Sequence, residues 1–208
     1  MAGDFSWRDH EGVLFDLDGV ITPTAEIHEH AWGELFAGYD YTADDYLRYI
    51  DGRPRYDGVR TFLASRQIVL PEGSPDDPPG DDTVCALGNR KNELFNTVLD
   101  REGISPYPGS AATLDLLAGL GVPSGIVSSS KNAVRVLGAA GLGERFGVIV
   151  DGVVAARRGL AGKPQPDAFL LGAEQLGTRP AATVVVEDAV SGVAAGRAGG
   201  FAVVIGVD

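Results

Sequence analysis

Short apolar runs bounded by turn residues recur along this chain, and between them apolar positions return at helical spacing. Val13–Phe15 reads as a buried first strand that ends in Asp16-Leu17-Asp18-Gly19. Runs of the same kind predict strands at Ser124–Val127, 147–150, Thr183–Val186 and Ala202–Ile205. Helices are predicted between them over Ala111–Leu120, 132–140, 167–176 and 191–198. Apolar strands that alternate with amphipathic helices build parallel βαβ units, with a sheet buried on both faces.

From about residue 26 to residue 104 no strand signal occurs. Thr24 looks like the N-cap of a helix running to about Ala37, with Glu26 and Glu29 in its early turns and His28, Ala31, Trp32 and Leu35 at helical spacing. A second helix is predicted over Ala43–Ile50. The Asp51-Gly52-Arg53-Pro54-Arg55 turn then leads into a third that ends near Ser65. Pro71–Asp82 reads as an exposed loop and Thr83–Arg101 as a long helix. The fold class expected is α/β, a Rossmann-like parallel sheet core with helices on both faces and an inserted all-helical cap. Residues 1–25 and 105–208 would form the core and residues 26–104 the cap.

Composition narrows the function. Of 208 residues, 44% are apolar and 22% charged, which is ordinary for a packed globular chain. A formal charge of −12 argues against nucleic-acid binding, which wants clustered lysine and arginine. One cysteine, Cys85, excludes an intrachain disulfide and fits a reducing compartment. Met1–Glu11 is polar with no apolar core of a signal peptide. No stretch approaches the ~20 apolar residues of a membrane span. A cytoplasmic protein with neither membrane nor nucleic-acid partner is expected. The chain stops at Asp208 soon after a strand, so a continuation in the natural protein is expected too.

In open parallel sheets ligands bind beyond the C-terminal strand ends. Those ends carry Asp16 and Asp18, Ser128, and Glu187-Asp188, while Lys163 lies in a loop just before a helix. Strand alternation sends Asp16 and Asp18 to the same side. Two such carboxylates are costly for stability alone and become useful around a divalent cation. Carboxylates, a hydroxyl and a lysine suit phosphoryl transfer, in which a carboxylate attacks phosphorus and the cationic and hydroxyl groups neutralise the equatorial oxygens. Taken singly, Ser128 would be a capping serine, Lys163 a solvated lysine and Glu187-Asp188 loop acids; their occurrence at successive βα junctions raises all of them. Gly138–Gly147 lacks the spacing of a dinucleotide fingerprint, and His28 and His30 are not spaced as a zinc pair.

Asp16-Leu17-Asp18-Gly19-Val20-Ile21-Thr22, Ser128, Lys163-Pro164-Gln165-Pro166-Asp167 and Glu187-Asp188 with Ser191-Gly192 resemble the signature of the haloacid dehalogenase-like superfamily, and more closely its β-phosphoglucomutase-like branch. The resemblance implies that Asp16 is the nucleophile, forming an aspartyl-phosphate, and Asp18 the general acid/base, whose backbone carbonyl also meets the metal. It implies that Ser128 and Lys163 hold the phosphoryl group and that Glu187 and Asp188 complete an Mg²⁺ site. In the cap, Thr24 and His28 match the segment that assists the acid/base. Gly52 and Arg55 match the substrate loop, Lys91 a residue that reaches the sugar phosphate, and Ser130, Lys131 and Asn132 a phosphate-binding run. Two positions depart: Asp51 stands where the branch has lysine, and Pro23 where it has aspartate. The acidic loop 72–82 also looks longer. The resemblance implies a monomeric, Mg²⁺-dependent mutase that converts β-glucose 1-phosphate to glucose 6-phosphate. The alternatives are a phosphatase acting on a small sugar phosphate, or a non-catalytic domain of a longer polypeptide. Dehalogenation is disfavoured, because it would use neither Asp18 nor the metal acids.

Overall fold

The structure, a computed structural model, describes residues 5–207. Met1–Asp4, part of the polar leader and of the expected core segment, and Asp208 lie outside the described residues. In chain order the elements are β1 (Gly12–Phe15), α1 (Thr24–Leu35), α2 (Ala43–Asp45), α3 (Arg55–Ser65), α4 (Val84–Glu102) and α5 (Pro108–Leu120). They continue with β2 (Ser124–Val127), α6 (Ala133–Ala139), β3 (Val148–Val150), α7 (Gly152–Arg158), α8 (Asp167–Leu176), β4 (Thr183–Glu187), α9 (Val190–Ala198) and β5 (Val203–Gly206).

The five strands form one parallel sheet in the order β3-β2-β1-β4-β5. Alternation along β1 and β4 sends Val13, Phe15, Val184 and Val186 to one face, where they pack with α5 and α6 through Leu114, Leu117, Val136 and Leu137. Leu14 and Val185 go to the other face, against Phe169 and Ala173 of α8 and Ala195 of α9. The connections therefore change faces beside β1, and that reversal opens a crevice above the C-terminal ends of β1, β2 and β4.

Helices α1, α3 and α4 and the segment Tyr46–Ile50 gather around a separate apolar cluster in which Phe36 stacks on Phe62 at 4.1 Å. The module is not independent of the sheet, since Ala31, Phe95 and Leu99 join the cluster beneath β1. Loop 71–82 is exposed yet tied down. Asn89 donates to the carbonyls of Pro75 and Asp77 at 3.0 Å each, and Arg60 pairs with Glu72 at 2.8 Å.

Three local expectations change. Thr24 does not cap α1: it is the first helical residue, Pro23 holds the cap position, and the Thr24 hydroxyl bonds Asp18 and Thr22 instead. The predicted helix 43–50 divides into α2 and a π-turn, Tyr46–Ile50, in which the Asp51 N–H reaches Tyr46 O at 2.9 Å. Helix α7 was not anticipated. Its seven residues are too few for a periodicity, and Asp151 starts it by accepting the N–H groups of Val153 and Val154. Among the described residues no helix is long and apolar enough to cross a membrane.

Candidate active site

The floor of the crevice is built where β1 and β4 end. The Asp16 N–H bonds Val186 O at 2.9 Å, which holds its carboxylate at the sheet edge. Lys163, only 4% exposed, inserts between Asp16 and Glu187, donates to Asp16 Oδ1 and Glu187 Oε1, and lies 3.4 Å from Val127 O. Glu187 is fully buried, and its second oxygen accepts the Ala189 N–H at 2.7 Å. Gly192 makes room for it: a Cβ there would lie 1.7 Å from Glu187 Oε1. Burial alone would discharge Lys163, but the Asp16 and Glu187 carboxylates outweigh it and raise the ammonium above the usual lysine range. Burial also lifts the Asp16 carboxyl well above its ordinary value, with Lys163 pulling it back.

Asp18 lines the same cavity as Asp16 but has different partners. Its N–H donates to Asp16 Oδ2 at 3.0 Å, while its carboxylate accepts the Thr24 hydroxyl on Oδ1 and the Ser128 hydroxyl, at 3.4 Å, on Oδ2. Burial would raise its pKa, but His28, the Thr24 hydrogen bond and Lys91 overcome that and bring it to about 2. Lys91, 3% exposed, bonds His28 Nδ1 rather than a carboxylate and lies 5.1 Å from the rings of both Trp32 and Phe95. With Nδ1 accepting, the imidazole proton sits on Nε2, which faces Asp18 Oδ1 at 3.4 Å without a hydrogen bond of its own. Burial and Lys91 lower the His28 pKa; burial and Arg55 push the Lys91 ammonium well below its usual range.

The roof is stitched to the floor by loops. The Ser128 hydroxyl accepts the Ser130 N–H at 3.0 Å, and the Ser130 hydroxyl accepts the Asn132 N–H at 3.1 Å. The Asn132 amide and the Arg55 guanidinium both donate to Asn92 Oδ1, at 2.7 Å each, so the core loop and two cap helices meet on one oxygen. Lys131 lies 4.9 Å from the Tyr56 ring. Ser129 donates to Gly52 O at 2.8 Å and Ser191 to Asp51 O at 3.3 Å. Gly52, at φ +69°, has Ser191 Oγ where a Cβ would be, 2.2 Å away. The contacts of Ser129 and Ser191 with the cap loop and the bridging role of Asn92 are not legible in the sequence, where Ser191 stands out only as part of the signature beside Gly192.

These groups line a crevice with about 660 Å³ of atom-free space, part of it open to solvent; its lining includes Asp16, Asp18, Ala25, His28, Gly52, Arg55, Lys91, Ser128, Ser130–Asn132, Glu187 and Asp188. Lys163 and Thr24 sit one layer beneath, bonded to the lining acids. Among the described residues no three acids or histidines already close on one point as ligands. The donor set still suits Mg²⁺, which typically takes one or two carboxylates and fills its octahedron with water and substrate phosphate. Glu187, fully buried, is bonded to Lys163 and Ala189, and the Asp18 carboxylate faces Thr24; Asp188, together with Asp16, which also bonds Lys163 and the Asp18 N–H, would be the side-chain donors. Burial, Glu187 and Asp51 lift Asp188 to about 7, the mark of negative charge short of a counter-ion. Gly19, at φ +84°, leaves the Asp188 carboxylate its space: a Cβ would fall 1.9 Å from Oδ2.

Comparison with known proteins finds relatives of this chain and of its fold. The chain is 47% identical to a β-phosphoglucomutase of Mycobacterium bovis, over 94% of this chain and 80% of that one. It is 33% identical to hexitol phosphatase A of Escherichia coli, over 93% and 82% of the two chains. A crystal structure of β-phosphoglucomutase from Clostridium difficile superposes with a TM-score of 0.79 at 27% identity, covering 94% of this chain and 84% of that one. Residues 10–200 match the family profile of the haloacid dehalogenase-like hydrolases, and the chain belongs to that family.

Proposed function

We propose that this enzyme is a β-phosphoglucomutase, which passes a phosphoryl group through Asp16 to convert β-glucose 1-phosphate to glucose 6-phosphate. The observation that carries this reading is the polarity of one crevice. Its floor offers a carboxylate nucleophile beside a buried ammonium, and its roof offers Arg55, Lys91, Lys131 and Asn132 to a second anion. A simple hydrolase needs only the floor. The similarity to the Mycobacterium bovis mutase supports the same reading.

In the proposed cycle Asp16 carries the phosphoryl group as an acyl phosphate. The sugar binds with its own phosphate in the roof, gripped by Arg55 and by the Ser130–Asn132 loop. Asp18, ionised at neutral pH, takes the proton of the attacking sugar hydroxyl as oxygen bonds to phosphorus and the P–O bond to Asp16 breaks. After the bisphosphate turns over, Asp16 attacks the other phosphate and Asp18 returns the proton to the departing sugar oxygen. Lys163 and Ser128 neutralise the equatorial oxygens, and an Mg²⁺ held by Asp16, Asp188 and the Asp18 carbonyl would add to that neutralisation. The residue 26–104 module acts as a cap, whose closure through Ser129 and Ser191 excludes water from the acyl phosphate.

The test is incubation with Mg²⁺, β-glucose 1-phosphate and a catalytic amount of glucose 1,6-bisphosphate. Glucose 6-phosphate should accumulate without matching inorganic phosphate. Phosphate release with no glucose 6-phosphate would instead assign a sugar-phosphate phosphatase, the activity in the name of the Escherichia coli relative.

A further inference from the structure

The cap loop brings into the cavity one acid that the proposed chemistry does not use. Asp51 follows the π-turn, its N–H bound to Tyr46 O at 2.9 Å, and its carbonyl accepts Ser191 Oγ at 3.3 Å. The next carbonyl, of Gly52, accepts Ser129 Oγ at 2.8 Å, and a Cβ on Gly52 would lie 3.0 Å from that of Ala189. The loop is thus seated on both the β2 and the β4 ends, and Asp51 lines the same wall as Glu187 and Asp188.

We propose that Asp51 is a positioning residue that couples cap closure to the divalent cation: its carboxylate resists seating on the acidic floor until a cation neutralises Asp16 and Asp188. This rests on the Mg²⁺ reading above. The physical basis is local charge balance. Asp16, Glu187 and Asp188 share one ammonium, Lys163, which is already spent on the first two. After burial, Glu187 is the largest influence raising the Asp51 carboxyl, and the two outweigh the Tyr46 hydroxyl, the Gly52 N–H and Lys163; Asp51 acts likewise on Asp188, so the three acids feel one another. The cap cation Lys91 acts on Asp18 and does not offset this wall. Like charges repel strongly where water is scarce, and a divalent cation between them turns repulsion into attraction. A lysine at this position, as in the branch the chain resembles, would be drawn to the floor without any cation.

Trp32, buried in the cap and lining the cavity, reports the state of the cap. The only other tryptophan is Trp7, so a Trp7→Phe background isolates the signal. In that parent, acrylamide quenching of Trp32 should be strong in chelator and fall on addition of MgCl₂. Asp51→Asn should already be shielded in chelator, with quenching reduced roughly threefold and little further response to Mg²⁺. Asp51→Glu should restore the Mg²⁺ response, which a merely structural role would not predict. Equal Mg²⁺ responses in the parent and Asp51→Asn would overturn the coupling. Calorimetry on the same samples separates the two readings. Mg²⁺ uptake by the parent without a Trp32 response sinks the coupling alone, whereas no uptake sinks the cation reading with it.

Discussion

Replacing Lys163 by methionine keeps the length of the side chain and removes the charge that two buried carboxylates share. The side chains of Lys163, Asp16 and Glu187 are 2%, 9% and 0% exposed, so solvent cannot take over the role of the ammonium. Breaking a buried ion pair by removing one partner costs about 3–5 kcal/mol, because a charge is left buried and uncompensated. One ammonium serves two carboxylates here, which places Lys163→Met toward the upper end. At about 2–4 °C per kcal/mol for a chain of this size, the unfolding midpoint should drop by roughly 6–20 °C. The assay is urea and thermal unfolding in chelator at pH 7.5, repeated at pH 5.5. The sign of the pH effect follows from Asp16. Its carboxyl, already raised by burial, rises further without the ammonium, and a raised acid contributes stability at low pH that is lost as pH increases. The deficit of the variant should therefore shrink at pH 5.5, and turnover should be lost at both values. A deficit below about 1 kcal/mol would match an exposed pair rather than a buried one, and a deficit that grows on acidification would refute the charge argument.

Three further outcomes can be checked. Asp18→Asn should reduce kcat by about 10²–10⁴ while leaving Mg²⁺ affinity by calorimetry unchanged, since its carboxylate faces Thr24, Ser128 and His28; an affinity loss comparable to that of Asp188→Ala would contradict the division of roles. Asp188, raised from 3.8 to about 7, favours the folded state below pH 3.8 and loses that contribution as pH rises through about 7. The melting temperature in chelator should accordingly fall between pH 5 and pH 8 by an amount that Asp188→Asn removes and that Mg²⁺ offsets at pH 8. Gly52→Ala meets both a left-handed φ and the Ser191 hydroxyl, a penalty of about 1–2 kcal/mol on loop seating. It should raise KM for the sugar phosphate several-fold while the urea midpoint hardly moves; an unchanged KM would mean that the loop does not need this seat.

The sheet, its helices other than α7, and the positions of Asp16, Asp18, Ser128, Lys163 and Asp188 at its C-terminal edge are legible in the sequence by itself. Each depends on periodicity within a few residues, and the parallel βα rule then brings distant strand ends to one edge. The all-helical character of residues 24–102 is legible for the same reason. What only the tertiary structure decided is what each of these groups touches. Thr24 serves Asp18 instead of its own helix, Glu187 is spent on Lys163, and Asn92 joins Arg55 to Asn132. Such pairings form between groups tens of residues apart, and their energies depend on burial and direction, which no local pattern carries. Asp51 marks the boundary most clearly. Its identity is plain in the chain, but its place on the acidic wall exists only because the π-turn, Ser129 and Ser191 seat the loop there.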